Sequence, residues 1–163
     1  MAKSKLSYLK ESFHLSEKVP GEPAEILLDV LVDADALVAL MKEDDTNHSK
    51  ALHITQSLQK KGCIWFISPH TIGEVVTVIS YKISQSAAKE ALKELRRMDF
   101  NELSLKEDRA SLVDKWFSKQ NKKGTSYFDC YNMTLMERYK KQLNAIFSFD
   151  SVYKRNGFKL AEV

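Results

Sequence analysis

Acidic residues stand at four separated points of this chain where an α/β domain can present them to one site. Asp33 follows the apolar run Val30-Leu31-Val32, and Asp150 follows Ala145-Ile146-Phe147-Ser148-Phe149. The carboxyl ends of parallel strands are where such sheets bind ligands. Each of these two acids has a second reading as the N-cap of a following helix. Asp129 lies in a segment whose Phe128, Tyr131, Met133, Leu135 and Met136 make it apolar most of the way round. A carboxylate on a buried helix is costly unless it is paired or bound to a cation. The competing reading is a capping box, Ser126-x-x-Asp129, in which the acid meets backbone N–H groups of the first turn. Glu74 falls opposite the stripe Ile72, Val76 and Ile79, so periodicity alone makes it a solvated residue.

Four carboxylates gathered in one cleft repel each other, and a divalent cation removes that penalty. Oxygen-only donors point to Mg²⁺ or Mn²⁺ rather than zinc. Such a centre suits in-line attack of activated water on a phosphodiester. Asp35 has three readings: it binds metal through water, orients Asp33, or starts the first helix.

The elements that must position these acids alternate along the chain. Asp29–Val32 reads as a strand, followed by a helix over Ala36–Lys42. Thr46 is expected to cap a second helix through about Lys60, which Gly62 closes. Cys63–Ile67 is a buried strand, and Ser68-Pro69 is expected to open the next helix as N-cap and first helical residue. Ser84 or Ser86 caps a further helix to about Met98. A strand over Asn101–Leu105 and a helix over Glu107–Gln120 follow. The last elements are a helix from Tyr127 to about Lys140 and strands Ala145–Phe149 and Phe158–Ala161. Short apolar strands separated by helices imply a mostly parallel sheet covered on both faces, a three-layer α/β/α sandwich. Residues 1–25 end in Pro20-Gly21-Glu22-Pro23 and read as an N-terminal extension of unknown role. Leu6, Leu9 and Phe13 could stripe a short helix there. The remaining residues, 26–163, form the domain that holds the four acids.

The chain has 163 residues, 44% of them apolar and 29% charged, which suits one globular domain and excludes collagen-like and disordered classes. No apolar run approaches a membrane span, and the N-terminus lacks the apolar core of a secretion signal. Cys63 and Cys130 lack metal-type spacing and read as buried, reduced thiols, which places the protein in the cytoplasm. The net charge of +3 is unevenly spread: residues 115–163 hold 10 basic and 4 acidic groups. That surplus makes Lys122, Lys123, Lys140, Lys141, Lys154 and Arg155 candidates for contact with the phosphates of a polyanion, against the plainer reading of a solvated face.

With these motifs in order, residues 26–163 resemble the PIN-domain nucleases, and among them the VapC-type toxins of toxin–antitoxin systems. The segments that carry the resemblance are Val30–Leu40, Ile67–Val76, Ser126–Met133 and Ile146–Asp150. His48-x-x-Ala51 also fits, as a structural feature. The resemblance implies that Asp33, Glu74, Asp129 and Asp150 bind Mg²⁺ or Mn²⁺ and cut RNA. Asp35, Ser126 and Ser148 would support them, Ser148 standing where a hydroxyl residue is frequent. It further implies a homodimer restrained by a cognate antitoxin. The N-terminal extension departs from the pattern. Alternatives are a PIN-type RNA-processing nuclease, a non-catalytic RNA-binding module, and an aspartyl-phosphate phosphatase using Asp33-x-Asp35.

Overall fold

The computed structural model describes residue 13, residues 28–106 and residues 110–162. Four strands form one parallel sheet: β1 (Asp29–Val32), β2 (Ile64–Ile67), β3 (Asn101–Glu102) and β4 (Ala145–Phe147), in the order β3-β2-β1-β4. Val32 is in register with Ile67 on one side and Phe147 on the other. Successive side chains on a strand point to opposite faces, and that alternation divides the interior in two. Val30, Val32, Trp65, Ile67 and Phe147 belong to one core, while Leu31, Phe66 and Ile146 belong to the other.

The first core is covered by α1 (Ala34–Met41), α2 (His48–Lys60), α3 (Thr71–Lys82) and α4 (Gln85–Arg97). The second is covered by α5 (Ala110–Ser118), α6 (Tyr127–Arg138) and α7 (Ser151–Arg155). The three-layer sandwich is therefore the one the alternating pattern requires. No helix among the described residues is long and apolar enough to cross a membrane. Cys63 and Cys130 are free and buried, and burial pushes their thiols up to about 12 and about 11.

Several element ends differ from the sequence expectation. Helix α2 starts at His48 after Asn47, not after a Thr46 cap, because the Asp45 carboxylate takes the Asn47 N–H at 2.9 Å. His48 Nδ1 meets the Ala39 carbonyl at 2.8 Å and joins α2 to α1, a structural role as expected. Ser68 does not cap α3. It accepts from the His70 N–H within a turn, and the helix begins at Thr71. Ser84 caps α4 as expected, accepting from Ala87 N–H at 3.0 Å. The expected strand at 158–161 shortens to a single bridge between Ile146 and Leu160, because the chain turns at Gly157 (φ 86°) and meets β4 only briefly. Residues 151–155 form α7, the helix that the N-cap reading of Asp150 requires.

Phe13 is 2% exposed and packs edge-on against Trp65 (5.0 Å) and Phe100 (4.8 Å). The rest of the expected Leu6–Leu9–Phe13 stripe lies outside the described residues. Losing a buried aromatic side chain removes its transfer energy and leaves a cavity. Phe13→Ala is expected to destabilise the protein by about 3 kcal/mol in denaturant unfolding. A loss below about 1 kcal/mol would show that the extension is not part of the core.

Candidate active site

β1 sits between β2 and β4, so the chain reverses its direction of sheet growth at the β1–β4 boundary. Crevices open outside the carboxyl ends of strands at such switch points. A cleft of about 270 Å³ lies there, lined by Asp33, Asp35, Asp45, Glu74, Asp129 and Asp150 among others. All four sequence-predicted acids therefore meet in one place, brought by the ends of β1 and β4 and by helices α3 and α6.

Asp33 is 6% exposed. Its Oδ1 accepts from Ala34 N–H (2.8 Å) and from Asn132 Nδ2 (3.0 Å), and its Oδ2 accepts from the Tyr153 hydroxyl (2.9 Å). It is thus both the cap of α1 and a member of the cleft. Burial, then the charges of Asp35 and Asp129, hold its carboxyl well above the usual carboxylate range. Asp129 likewise fulfils both of its readings. Its Oδ2 accepts from Ser126 N–H at 2.6 Å while Ser126 Oγ accepts from Asp129 N–H at 2.9 Å, a complete capping box. Its other oxygen faces Tyr153 at 3.4 Å. Burial raises its pKa against the pull of the Ser126 hydrogen bonds.

Glu74 is the correction to periodicity. It is half-buried in the cleft rather than solvated, and its Oε2 is enclosed without a hydrogen-bond partner. Burial, Asp129 and Asp35 push its pKa to about 7. Asp150 is exposed and caps α7 through Val152 N–H at 2.8 Å. Asp35 Oδ2 accepts from Ser148 Oγ (3.0 Å) and Phe149 N–H (2.8 Å), while Ser148 Oγ accepts from Asp150 N–H (3.0 Å). Ser148 therefore ties the start of α1 to the end of β4.

Three contributors escaped the sequence reading. Tyr153 presents one hydroxyl to both Asp33 and Asp129 and accepts from Asn132 Nδ2 at 3.2 Å. Asn132, one turn beyond Asp129, is fully buried and donates to Asp33. Its signal was a polar amide on a helix apolar on nearly every face. Lys82, in the last turn of α3, lines the cleft, whereas Lys122, Lys123, Lys154 and Arg155 are exposed and do not.

The donor set suits a hard divalent cation. It is all oxygen, two of its oxygens (Asp35 Oδ1 and Glu74 Oε2) are buried and unpartnered, and burial together with like charge raises the pKa values of Asp33 and Glu74. Among the described residues no three such groups stand close enough to enclose an ion.

These features define a parallel α/β/α protein with an acidic, oxygen-donor centre at the switch point of its sheet. The chain belongs to the PIN-domain family, which matches residues 30–159. Among solved structures it is similar to the Mycobacterium tuberculosis toxin VapC20, described as cleaving the sarcin–ricin loop. That similarity has a TM-score of 0.67 at 21% identity and covers 79% of this chain and 95% of VapC20. At this identity the likeness is one of fold. No curated protein matches the chain.

Proposed function

We propose that this protein is a metal-dependent endoribonuclease of the VapC toxin type. Residues 26–163 form its nuclease domain and residues 1–25 an extension, of which Phe13 joins the core. The observation that carries the reading is the convergence of Asp33, Glu74, Asp129 and Asp150 from four elements on one cleft. PIN-family membership and the fold shared with a toxin described as cleaving the sarcin–ricin loop support it. The same membership leaves the aspartyl-phosphate phosphatase reading without support.

In this reading the four acids hold Mg²⁺ or Mn²⁺. The bound ion supplies charge stabilisation at a phosphodiester and lowers the pKa of water. Tyr153 and Asn132 orient Asp33, and the Ser126 capping box fixes Asp129. Ser148 and Asp35 hold the loop that carries Asp150. Lys82 meets RNA within the cleft, while Lys122, Lys123, Lys154 and Arg155 attract flanking phosphates. The protein works in the cytoplasm as a homodimer, and a cognate antitoxin restrains it.

The test is cleavage of single-stranded RNA by the purified chain with Mg²⁺ or Mn²⁺. Chelator is expected to abolish cleavage and added metal to restore it. Cleavage that persists in chelator would overturn the metal-dependent reading. RNA that binds but stays intact at saturating metal would make the protein a binding module instead.

A further inference from the structure

We propose that the first turn of α6, with its aromatic neighbours, forms a base-stacking platform for unpaired RNA at the rim of the acidic cleft. This deepens the ribonuclease reading and rests on its RNA ligand. Tyr127, Phe128 and Phe117 are 41%, 40% and 46% exposed, and Phe128 adjoins the cleft acid Asp129 in sequence. They occur in two pairs. Phe128 lies tilted against His70 with centroids 5.1 Å apart, and Phe117 lies 5.8 Å from Tyr127.

Both pairs are held in place before any ligand arrives. The Tyr127 hydroxyl donates to Asp114 Oδ1 at 2.8 Å. His70 stands edge-on to Tyr131 at 4.6 Å, and the Tyr131 hydroxyl accepts from Leu105 N–H at 3.0 Å. Rings fixed in this way lose little further freedom on binding. They are also tied to the backbone that carries the acids. Phe128 immediately precedes Asp129, and the Glu74 N–H donates to the His70 carbonyl at 3.0 Å. With 3.6 residues per turn, successive positions stand about 100° apart, so Phe128 is the ring next to Asp129, while Tyr127 points away from Asp129 and joins α6 to Phe117 of α5.

Charge selects the occupant. The loop leading into α6 carries exposed Lys122 and Lys123, and the Lys119 ammonium lies 4.7 Å from the Trp116 ring centroid. Rings interleaved with lysines match a strand whose bases stack and whose phosphates need cations. An apolar peptide would offer Lys122 and Lys123 no anionic group. Duplex RNA keeps its base faces within its own stack and is recognised by shape and backbone, so the platform fits single strands.

The experiment uses the full chain in chelator and a short single-stranded RNA carrying 2-aminopurine, alone or annealed to its complement. Cleavage constants are measured separately with Mn²⁺. Wild type is expected to bind the single strand more tightly than the duplex and to quench 2-aminopurine by stacking. Phe128→Ala and Tyr127→Ala should each weaken single-strand binding by about tenfold, reduce the quench and raise KM with kcat nearly unchanged. Phe128→Trp should retain binding. Phe128→Leu, which keeps apolar bulk without an aromatic face, should behave like the alanine variant and so separates stacking from folding. Unchanged RNA affinity in the Phe128→Ala, Tyr127→Ala double variant would assign the rings to a protein partner and overturn the proposal. Equal affinity for single strand and duplex would also overturn it. Ring-dependent binding without any cleavage would support the platform while the nuclease reading failed. Wild type that neither binds nor cuts RNA would end both.

Discussion

Asp33→Asn is expected to lower kcat/KM for RNA cleavage by about three orders of magnitude while leaving the fold intact. A cation at a phosphodiester provides several kcal/mol of charge stabilisation, and each 1.36 kcal/mol is a factor of ten in rate. Asp33 lies deepest of the four acids and is braced by Asn132 and Tyr153. Losing its charge removes a central donor. The asparagine keeps an oxygen for the Ala34 N–H that caps α1. Its amide can donate to the Tyr153 hydroxyl, which is then free to donate to Asp129. Single-turnover cleavage across a Mn²⁺ titration, with circular dichroism as the folding control, measures the effect. Activity within tenfold of wild type would remove Asp33 from the metal site.

Glu74→Gln should abolish cleavage as well and, in chelator, make the protein more stable. Glu74 has its pKa raised from the ordinary 4.5 to about 7 by burial, Asp129 and Asp35. A carboxyl with a raised folded pKa favours the folded state while protonated. The penalty for its charge is therefore absent below about 4.5, grows between 4.5 and about 7, and is complete above that. Glutamine has the same shape and never carries the charge. The stability difference between the variant and wild type should widen across that window. It should reach about 1–2 kcal/mol above pH 7 once solvent screening of this half-buried group is allowed for. Saturating Mg²⁺ should reverse the order, since a ligand that binds only the folded state stabilises it by mass action. Melting curves at several pH values, with chelator and with Mg²⁺, give both comparisons. Equal stability of the two proteins above pH 7 in chelator would contradict the crowding of charge around Glu74.

The acids illustrate how far local sequence carries. Asp33 and Asp150 were legible because a strand end needs only a short apolar run and a polar stop. At both positions the cap and the cleft acid proved to be the same side chain. Asp129 combined the two readings offered for it for a similar reason: the first turn of α6 that forms the box also faces the cleft. Glu74 was not legible from periodicity. A helical wheel separates a core stripe from everything else, and it cannot tell bulk solvent from a crevice shared with two other elements. The Thr46 cap failed because Asp45 took a backbone N–H one residue before the helix. The Ser68 cap failed because its hydroxyl was used in the turn before α3. Both are choices among near-equivalent local hydrogen bonds.

By itself the sequence determined the strand–helix alternation, the parallel three-layer class and the acids Asp33, Asp129 and Asp150 at element ends. Each of those depends on the order of apolar and polar residues over a few positions, which folding has to obey. Only the tertiary structure decided that Tyr153 and Asn132, 21 residues apart, would brace Asp33 from two different helices. It likewise placed Lys82 in the cleft and left the predicted phosphate-binding cations outside it. Those pairings depend on where separate elements cross, and long-range packing in three dimensions sets that, whereas residue spacing does not.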